Sequence, residues 1–389
     1  MGHSTEPSFP SLRVEAQGLI FDARDLADSE AINYVTSLVR LESGSYLAGW
    51  QCGPGKHAAI NTIRLARARD GVDHWNLLPA RFAASWRGDP GSFLAAEMVE
   101  AEPGRLILFT TWVDRSDPQR SLFNPETEGI LPTRILFCIS PDEGDTWGEW
   151  SELPTPGLSG CAVTGPIVRW ADGTIACAFE SFKEFDDPEP VEPAAWLAIS
   201  RDGGRSFGSP WLVARDPQQL QYYWDQRLCP TATPGEFVAM FWTHHRGHQR
   251  DLNVHILRAS IEDGPMAVAQ PVETSISGQI AACSVSDDGR ILALVVDRGR
   301  PGTLTLWQSS DGGRSWPPEV RRVVHRHDEQ AAITQGPEEI DYAAYWEDMG
   351  KWSFGHPTLR PLRDGWLLAW YAGAPDRMSI HWARVVERR

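Results

Sequence analysis

No run of about 18 uninterrupted apolar residues occurs anywhere in this 389-residue sequence, so a helical membrane span is not expected. The first residues lack a positively charged stretch followed by an apolar one, so a secretory leader is not expected either. The reading is a soluble, cytoplasmic protein without a membrane partner. No long basic run is present and the formal charge is −16, which argues against nucleic acid, because a phosphate backbone is held by clustered Lys and Arg. No Cys-x-x-Cys spacing occurs among the six cysteines, Cys52, Cys138, Cys161, Cys177, Cys229 and Cys283. Two of them, Cys138 and Cys177, lie in apolar strand-like runs, so buried free thiols are expected rather than disulfides or zinc ligands. Two histidine groups, His244, His245 and His248 with His255, and His325 and His327 followed by Asp328 and Glu329, have neither helical spacing nor the ligand pattern of a known zinc motif. No metal and no cofactor is expected.

What is abundant points to sheets. Eighteen Trp, 34 Gly and 29 Pro suit many short strands joined by tight turns. A turn ending in glycine followed by an apolar run occurs six times, at Gly44, Gly104, Gly173, Gly235, Gly289 and Gly365, with intervals of 60, 69, 62, 54 and 76 residues. That period leaves room for four strands per repeat, with each glycine supplying the positive φ of the hairpin between the first and second. One such sheet cannot bury both faces alone, so the repeats pack radially. The expected fold is all-β: one six-bladed β-propeller of four-stranded antiparallel blades, forming a single domain over residues 1–389. The C-terminal stretch Met378–Arg384 reads as the third strand of the sixth repeat. The N-terminal strand, Arg13–Phe21, then completes that blade and leaves no exposed edge.

A second repeat follows later in each unit. Ser140, Asp142, Gly144, Thr146 and Trp147 share their spacing with Ser200, Asp202, Gly204, Ser206 and Phe207, and with Ser309, Asp311, Gly313, Ser315 and Trp316. Degenerate copies lie at Asp70-Gly71 and Asp263-Gly264. In each, the Asp carboxylate accepts backbone N–H groups across a tight turn, the glycine takes the left-handed conformation, and the aromatic packs back between strands. On these three near-perfect copies the chain resembles, over nearly its whole length, the Asp-box (BNR-repeat) proteins of the sialidase (neuraminidase) superfamily. The resemblance implies boxes on the outer rim, away from the active site, so their Asp residues are assigned no catalytic role.

In a propeller the first strand of every blade lines the central channel. The segments to search therefore precede the hairpin glycines: 33–37, 93–97, 161–166, 224–227, 277–279 and 354–358. Against the sialidase pattern the match is partial. Tyr34 stands where the family has the first of its three carboxylate-binding Arg residues, and His356-Pro357-Thr358 stands where the Tyr nucleophile is expected. Asp225, Arg227 and Arg246 resemble the acid and Arg of the family's fourth blade. Without the Arg cluster that grips a sugar carboxylate, sialic acid is not the expected substrate.

The catalytic candidates are Glu97 and Asp225, as the two carboxyl groups that glycoside hydrolysis needs, and His356 as a general acid or base. Each also has a plainer reading, Glu97 or Asp225 as an ion-pair partner of Arg227 or Arg115, and His356 as a hydrogen-bonded channel liner. The substrate-binding candidates are Tyr34, Trp224, Arg227, His245 and Arg246, with Trp112, Asp114 and Arg115 at the start of a long polar insert in the second blade that runs to Gly129. Trp50, Trp112, Trp224, Trp242, Trp346 and Trp352 could stack on sugar rings or serve blade packing. The expected partner is a carbohydrate, and the expected activity is a glycoside hydrolase acting from a chain end on a non-sialic sugar, acidic sugars included. Two rivals stand beside it: a polysaccharide lyase in which His356 or His245 takes a proton while Tyr34 or an Arg neutralises a uronate, and a propeller that only binds a glycan or a protein.

Overall fold

The computed structural model describes residues 9–264, 270–299, 301–327 and 349–388, and the chain is a six-bladed β-propeller. Six antiparallel sheets of four or five strands follow one another along the sequence. Their inner strands are Ile32–Arg40, Asp89–Glu102, Ile167–Arg169, Gln221–Pro230, Ala281–Val285 and Phe354–Leu362. Each of the six repeated glycines lies at the hairpin between an inner strand and the second strand of its blade, and the first five have φ between 73° and 93°.

The apolar runs that follow these hairpins become second strands buried on both faces, as in Ile175–Ser181, where every residue is buried. Burial on both sides explains why these runs are continuous rather than alternating. Apolar clusters fill the boundaries between blades. One packs Leu65 of the first blade with Leu108 of the second, and another packs Ile107 of the second with Cys177 of the third. All six cysteines are free and buried.

The ring closes through the chain's two ends. Ser11–Phe21 is the outer strand of the sixth blade and pairs antiparallel with Arg377–Arg388, from Ser11 opposite Arg388 to Phe21 opposite Ile380. The last blade thus holds strands from both ends of the sequence, which removes an open edge. No helix among the described residues is long and apolar enough to cross a membrane.

The three repeated aspartate turns join the third and fourth strands of blades two, three and five, on the rim. In the second of them Asp202 accepts Ser206 N (2.9 Å), Arg205 N (3.0 Å) and the Ser206 hydroxyl (2.6 Å), and Ser200 Oγ donates to it at 2.7 Å. These bonds favour the ionised carboxylate, so Asp202 lies below the ordinary range, and the matching set holds Asp311 at about 2. A carboxyl group depressed in the folded state contributes stability that is fully present above its unfolded pKa, near 3.9, and is lost as pH falls through the folded value. Each turn closes on a glycine in the left-handed region, and a Cβ on Gly204 (φ 80°) would lie 2.1 Å from Ile107 Cδ1.

Two outcomes follow from these turns. Gly204→Ala loses roughly 2 kcal/mol through left-handed strain and overpacking, read as a lower denaturation midpoint with unchanged slope; an unshifted midpoint contradicts the geometry. In Asp311→Asn the drop in stability between pH 4 and pH 2 is shallower than in the parent, measured by thermal melting across that range.

Candidate active site

Four inner strands share one irregularity. Between Tyr34 and Ser37, Leu94 and Glu97, Trp224 and Arg227, and Gly355 and Thr358, two residues oppose a single residue of the second strand. In each bulge the first extra residue has a positive φ: Val35 55°, Ala95 70°, Asp225 50° and His356 46°. None is glycine, so each costs of order 1 kcal/mol or more in backbone strain. The bulge re-aims a side chain that regular alternation would leave in the blade. These four residues, with Thr164 of the third blade and Ile280 of the fifth, form a ring, one from each blade, around a cavity at one end of the channel.

Above the ring the wall is aromatic, from Tyr34, Trp224, Trp242, Trp352 and Tyr371. Trp224 stacks on His244 with ring planes 10° apart and meets Trp242 edge-on at 4.9 Å. Below the ring lie Ser37, Glu97, Arg227 and Thr358, all buried and none lining the cavity. The channel is therefore plugged beneath the cavity, which is a dead end.

Asp225 is the carboxylate in the ring, and beside it is Glu180 from the end of Ile175–Ser181. Burial pushes Glu180 above the usual carboxylate range and the negative charge of Asp225 pushes it further. Asp225 is also raised by burial, but Arg227 and Arg298 pull it back. Glu180 is thus the member of the pair that keeps a proton. Its Oε1 accepts the Thr164 hydroxyl at 2.7 Å and Gln226 N at 3.3 Å.

His356 faces both layers. One Arg227 nitrogen lies 2.8 Å from its Nδ1 and 2.5 Å from its Nε2, and Nε2 is also 4.0 Å from Asp225 Oδ1. Burial and then the Arg227 charge drive its pKa well below the ordinary value, so the ring is neutral. Arg227 also faces Glu97, 3.7 Å away, with the two side chains 3% and 2% exposed. Burial raises Glu97 to about 7, opposed by Arg227 and Arg360.

The sequence candidates thus separate. Asp225, His356, Tyr34 and Trp224 line the cavity. Glu97 and Arg227 sit together one layer below, and the carboxylate that lines the cavity with Asp225 is Glu180 rather than Glu97. Tyr34 donates its hydroxyl to Lys56 O at 2.5 Å. Trp112 fills the boundary of the first two blades and donates to Ala84 O. Asp114 caps a turn by accepting Ser116 N, and Arg115 is a buried strut donating to His57 O and Arg120 O. The polar insert delivers apolar side chains instead, with Leu122, Phe123 and Ile130 on the cavity wall. His245 and Arg246 lie in a short 3-10 turn at the rim, outside the cavity, where His245 Nδ1 accepts His248 N. Trp242 and Trp352 reach the cavity, and Trp50 is core, bonded to Asn33 at 2.8 Å. Trp346, Asp328 and Glu329 lie outside the described residues.

Glu180, Arg298, Lys56 and Tyr371 are cavity residues that the search of inner strands alone does not reach. A signal for Glu180 exists: Thr111, Glu180 and Trp242 each follow their hairpin glycine by seven residues (111−104, 180−173, 242−235), and all three line the cavity. Arg298 lies flat over the Trp352 ring at 4.0 Å and donates to Phe354 O at 3.0 Å and to Gln279 Oε1. Lys56 donates to Met349 O, Trp352 O and the Tyr371 hydroxyl. Among the described residues no group of three or more His, Cys, Asp or Glu side chains is placed to hold a metal ion.

No protein-family model and no curated protein matches the sequence. Solved structures do. A protein of unknown function from Dyadobacter fermentans superposes with a TM-score of 0.71 at 14% identity, covering 98% of this chain and 100% of that one. The Hadza microbial sialidase Hz136 gives 0.63 at 14% identity, over 95% of this chain and 68% of that one. The intramolecular trans-sialidase of Ruminococcus gnavus gives 0.61 at 13% identity, over 94% and 96%. At such identities the likeness is one of architecture, and the architecture is that of a sialidase-like propeller.

Proposed function

We propose that this chain is a glycoside hydrolase on the sialidase-like propeller, removing a terminal, non-sialic unit from a glycan. The observation that carries the reading is the pair Asp225, half-buried, and Glu180, buried, in one aromatic-walled cavity whose surroundings favour the ionised form of the first and the protonated form of the second. Two titratable groups with such divided environments have the form of an acid and base assignment. In the proposed reaction Glu180 donates its proton to the glycosidic oxygen as the bond breaks. Asp225 either takes a proton from the attacking water or attacks the anomeric carbon itself. Arg227 and Arg298 favour the charged form of Asp225. The three aspartate turns, on the spacing of the Asp-box proteins, support the same superfamily.

Two features support the choice of substrate. The plugged channel admits the end of a chain rather than its middle. The cationic groups lining the cavity among the described residues are Lys56, which donates to three protein acceptors, and Arg298, whose Nη1 and Nη2 donate to protein while its Nε is unpartnered. The cavity thus offers one Arg rather than a cluster of them, which favours a terminal sugar other than sialic acid. Tyr34, Trp224, Trp242 and Trp352 supply flat faces for its ring.

Glu180→Gln and Asp225→Asn each lower kcat roughly a thousandfold on whichever 4-nitrophenyl glycoside the parent cleaves, with unchanged melting temperature. Turnover within a few-fold of the parent in either variant sinks the assignment, as do products that absorb in the near ultraviolet, the mark of a lyase. The pH profile of kcat/KM is bell-shaped. Activity is lost as pH falls through the Asp225 pKa, because the base is then protonated, and lost as pH rises through the higher Glu180 pKa, because the acid is then spent. Arg298→Met removes a positive charge beside Asp225, so the acidic limb moves to higher pH while the alkaline limb stays; a limb that does not move contradicts the role given to Arg298.

A further inference from the structure

A second, larger hollow shares one wall residue with the first. Ile130, on the cavity wall, also lines a groove of about 1050 Å³ that runs outward between the second and third blades. One side is built by the end of the polar insert and the 132–134 stretch, with Pro132 and Thr133. The other is built by the loop containing Pro154, Thr155, Pro156 and Ser159, with the 184–187 turn closing it.

The walls are stapled together without a ligand. Ile130 N donates to Lys183 O at 3.1 Å, Asn124 Nδ2 to Phe185 O at 2.9 Å, and the Thr127 hydroxyl to Phe185 O. Arg120 lies over the Phe185 ring at 4.0 Å and forms an ion pair with Asp186 at 3.1 Å. A groove held by bonds between its own walls is pre-formed, so a ligand entering it does not bear the cost of ordering those loops. Three prolines along it restrict the backbone further.

Charge narrows the occupant. Two guanidinium groups, Arg120 and Arg134, face four carboxylates, Glu152, Glu184, Asp186 and Asp187. The two Arg are matched by Asp186 and by Glu152, the latter at 3.2 Å from Arg134. Glu184 accepts a hydroxyl, Ser159 Oγ at 3.4 Å, and Asp187 accepts a backbone N–H, Glu189 N at 3.0 Å. The groove is therefore net negative, on a chain whose formal charge is −16. A polyanionic chain, a polyuronate among them, is repelled from such a surface. A chain rich in hydroxyl groups finds carboxylate and carbonyl acceptors along it.

We infer that this groove is the binding site for the leaving-group side of the substrate, a neutral or amino-sugar oligosaccharide whose terminal unit occupies the cavity. The inference rests on the glycosidase reading for the assignment of sides, and on the groove alone for the class of ligand. Ile130 marks the boundary between the unit that is released and the chain that remains.

The test fills the groove and leaves the cavity untouched. Ser159→Trp and Thr155→Trp are made separately in the full chain, because one of them alone could disturb its loop. Each lowers kcat/KM about tenfold or more, the scale of one lost sugar contact, on an oligosaccharide bearing the cleavable terminal unit. Each leaves the 4-nitrophenyl monoglycoside of that unit within about twofold, which also reports that the variant is folded. Equal losses on both substrates, or no loss on either, overturn the inference. Binding gives the independent arm: on an array of neutral, amino-sugar and uronate oligosaccharides, the parent retains the first two classes and the Trp variants lose them. A parent that retains no oligosaccharide, or prefers the uronates, overturns the groove assignment. A parent that binds neutral chains but cleaves no glycoside defeats the hydrolase reading and leaves the groove standing.

Discussion

The two-for-one bulge in the inner strands is the constraint on which the site depends. A strand in regular register sends alternate side chains to its two faces, and in a blade both faces are packed against neighbours. Inserting one residue, held at positive φ, turns a side chain out of that alternation and into the channel. Blades one, two, four and six do this at matching positions, so Val35, Ala95, Asp225 and His356 meet although they are separated by up to 321 positions in the chain (356−35). The strain at these non-glycine residues is sustained by the ladders on either side of each bulge.

Stacking one charged layer on another sets the electrostatics. Glu97 and Arg227 lie in the plugged part of the channel, where burial makes every charge depend on its neighbours, and the half-buried Arg360 lines a separate hollow. Arg227 is the link, facing Glu97 on one side and His356 on the other. Its charge suppresses protonation of His356 and favours ionisation of Asp225, while Glu180, farther from the guanidinium groups and beside a carboxylate, retains a proton. The division of labour between two carboxyl groups of similar chemistry thus comes from which one the arginines reach.

Much of the ring was legible in the residue spacing. The hairpin glycines recur because each blade needs the same left-handed turn, and the ring residues precede them by a nearly fixed offset: nine for Val35, Ala95, Thr164, Ile280 and His356, and ten for Asp225, whose hairpin is one residue longer. Asp225, His356, Tyr34 and Trp224 were accessible by that logic. Glu97 was not distinguishable from Asp225, because the bulge reverses the alternation within three residues and a sequence does not announce a bulge at Ala95. Glu180 belongs to a second strand and Arg298 directly follows one, and both stretches read as core; only their placement at the channel end exposes them to the cavity. The insert misled in another way. Its polar residues, Asp114 and Arg115, are consumed by turns and struts, and its apolar ones, Leu122, Phe123 and Ile130, face the site.

The sequence by itself determined the architecture. The glycine-hairpin repeat, the three aspartate turns and the apolar second strands are local signals, each acting within a few residues, and six copies of a local signal specify a ring. It also determined that a strand from the N-terminal end was needed to complete the last blade. What only the tertiary structure decided is which carboxylate stands beside which. The pairing of Asp225 with Glu180, the descent of Glu97 to the layer of Arg227, and the placing of Ile130 between the cavity and the groove depend on contacts between blades. Those contacts are fixed by the closure of the ring, in which residues far apart in the chain converge on one axis, and no local pattern records them.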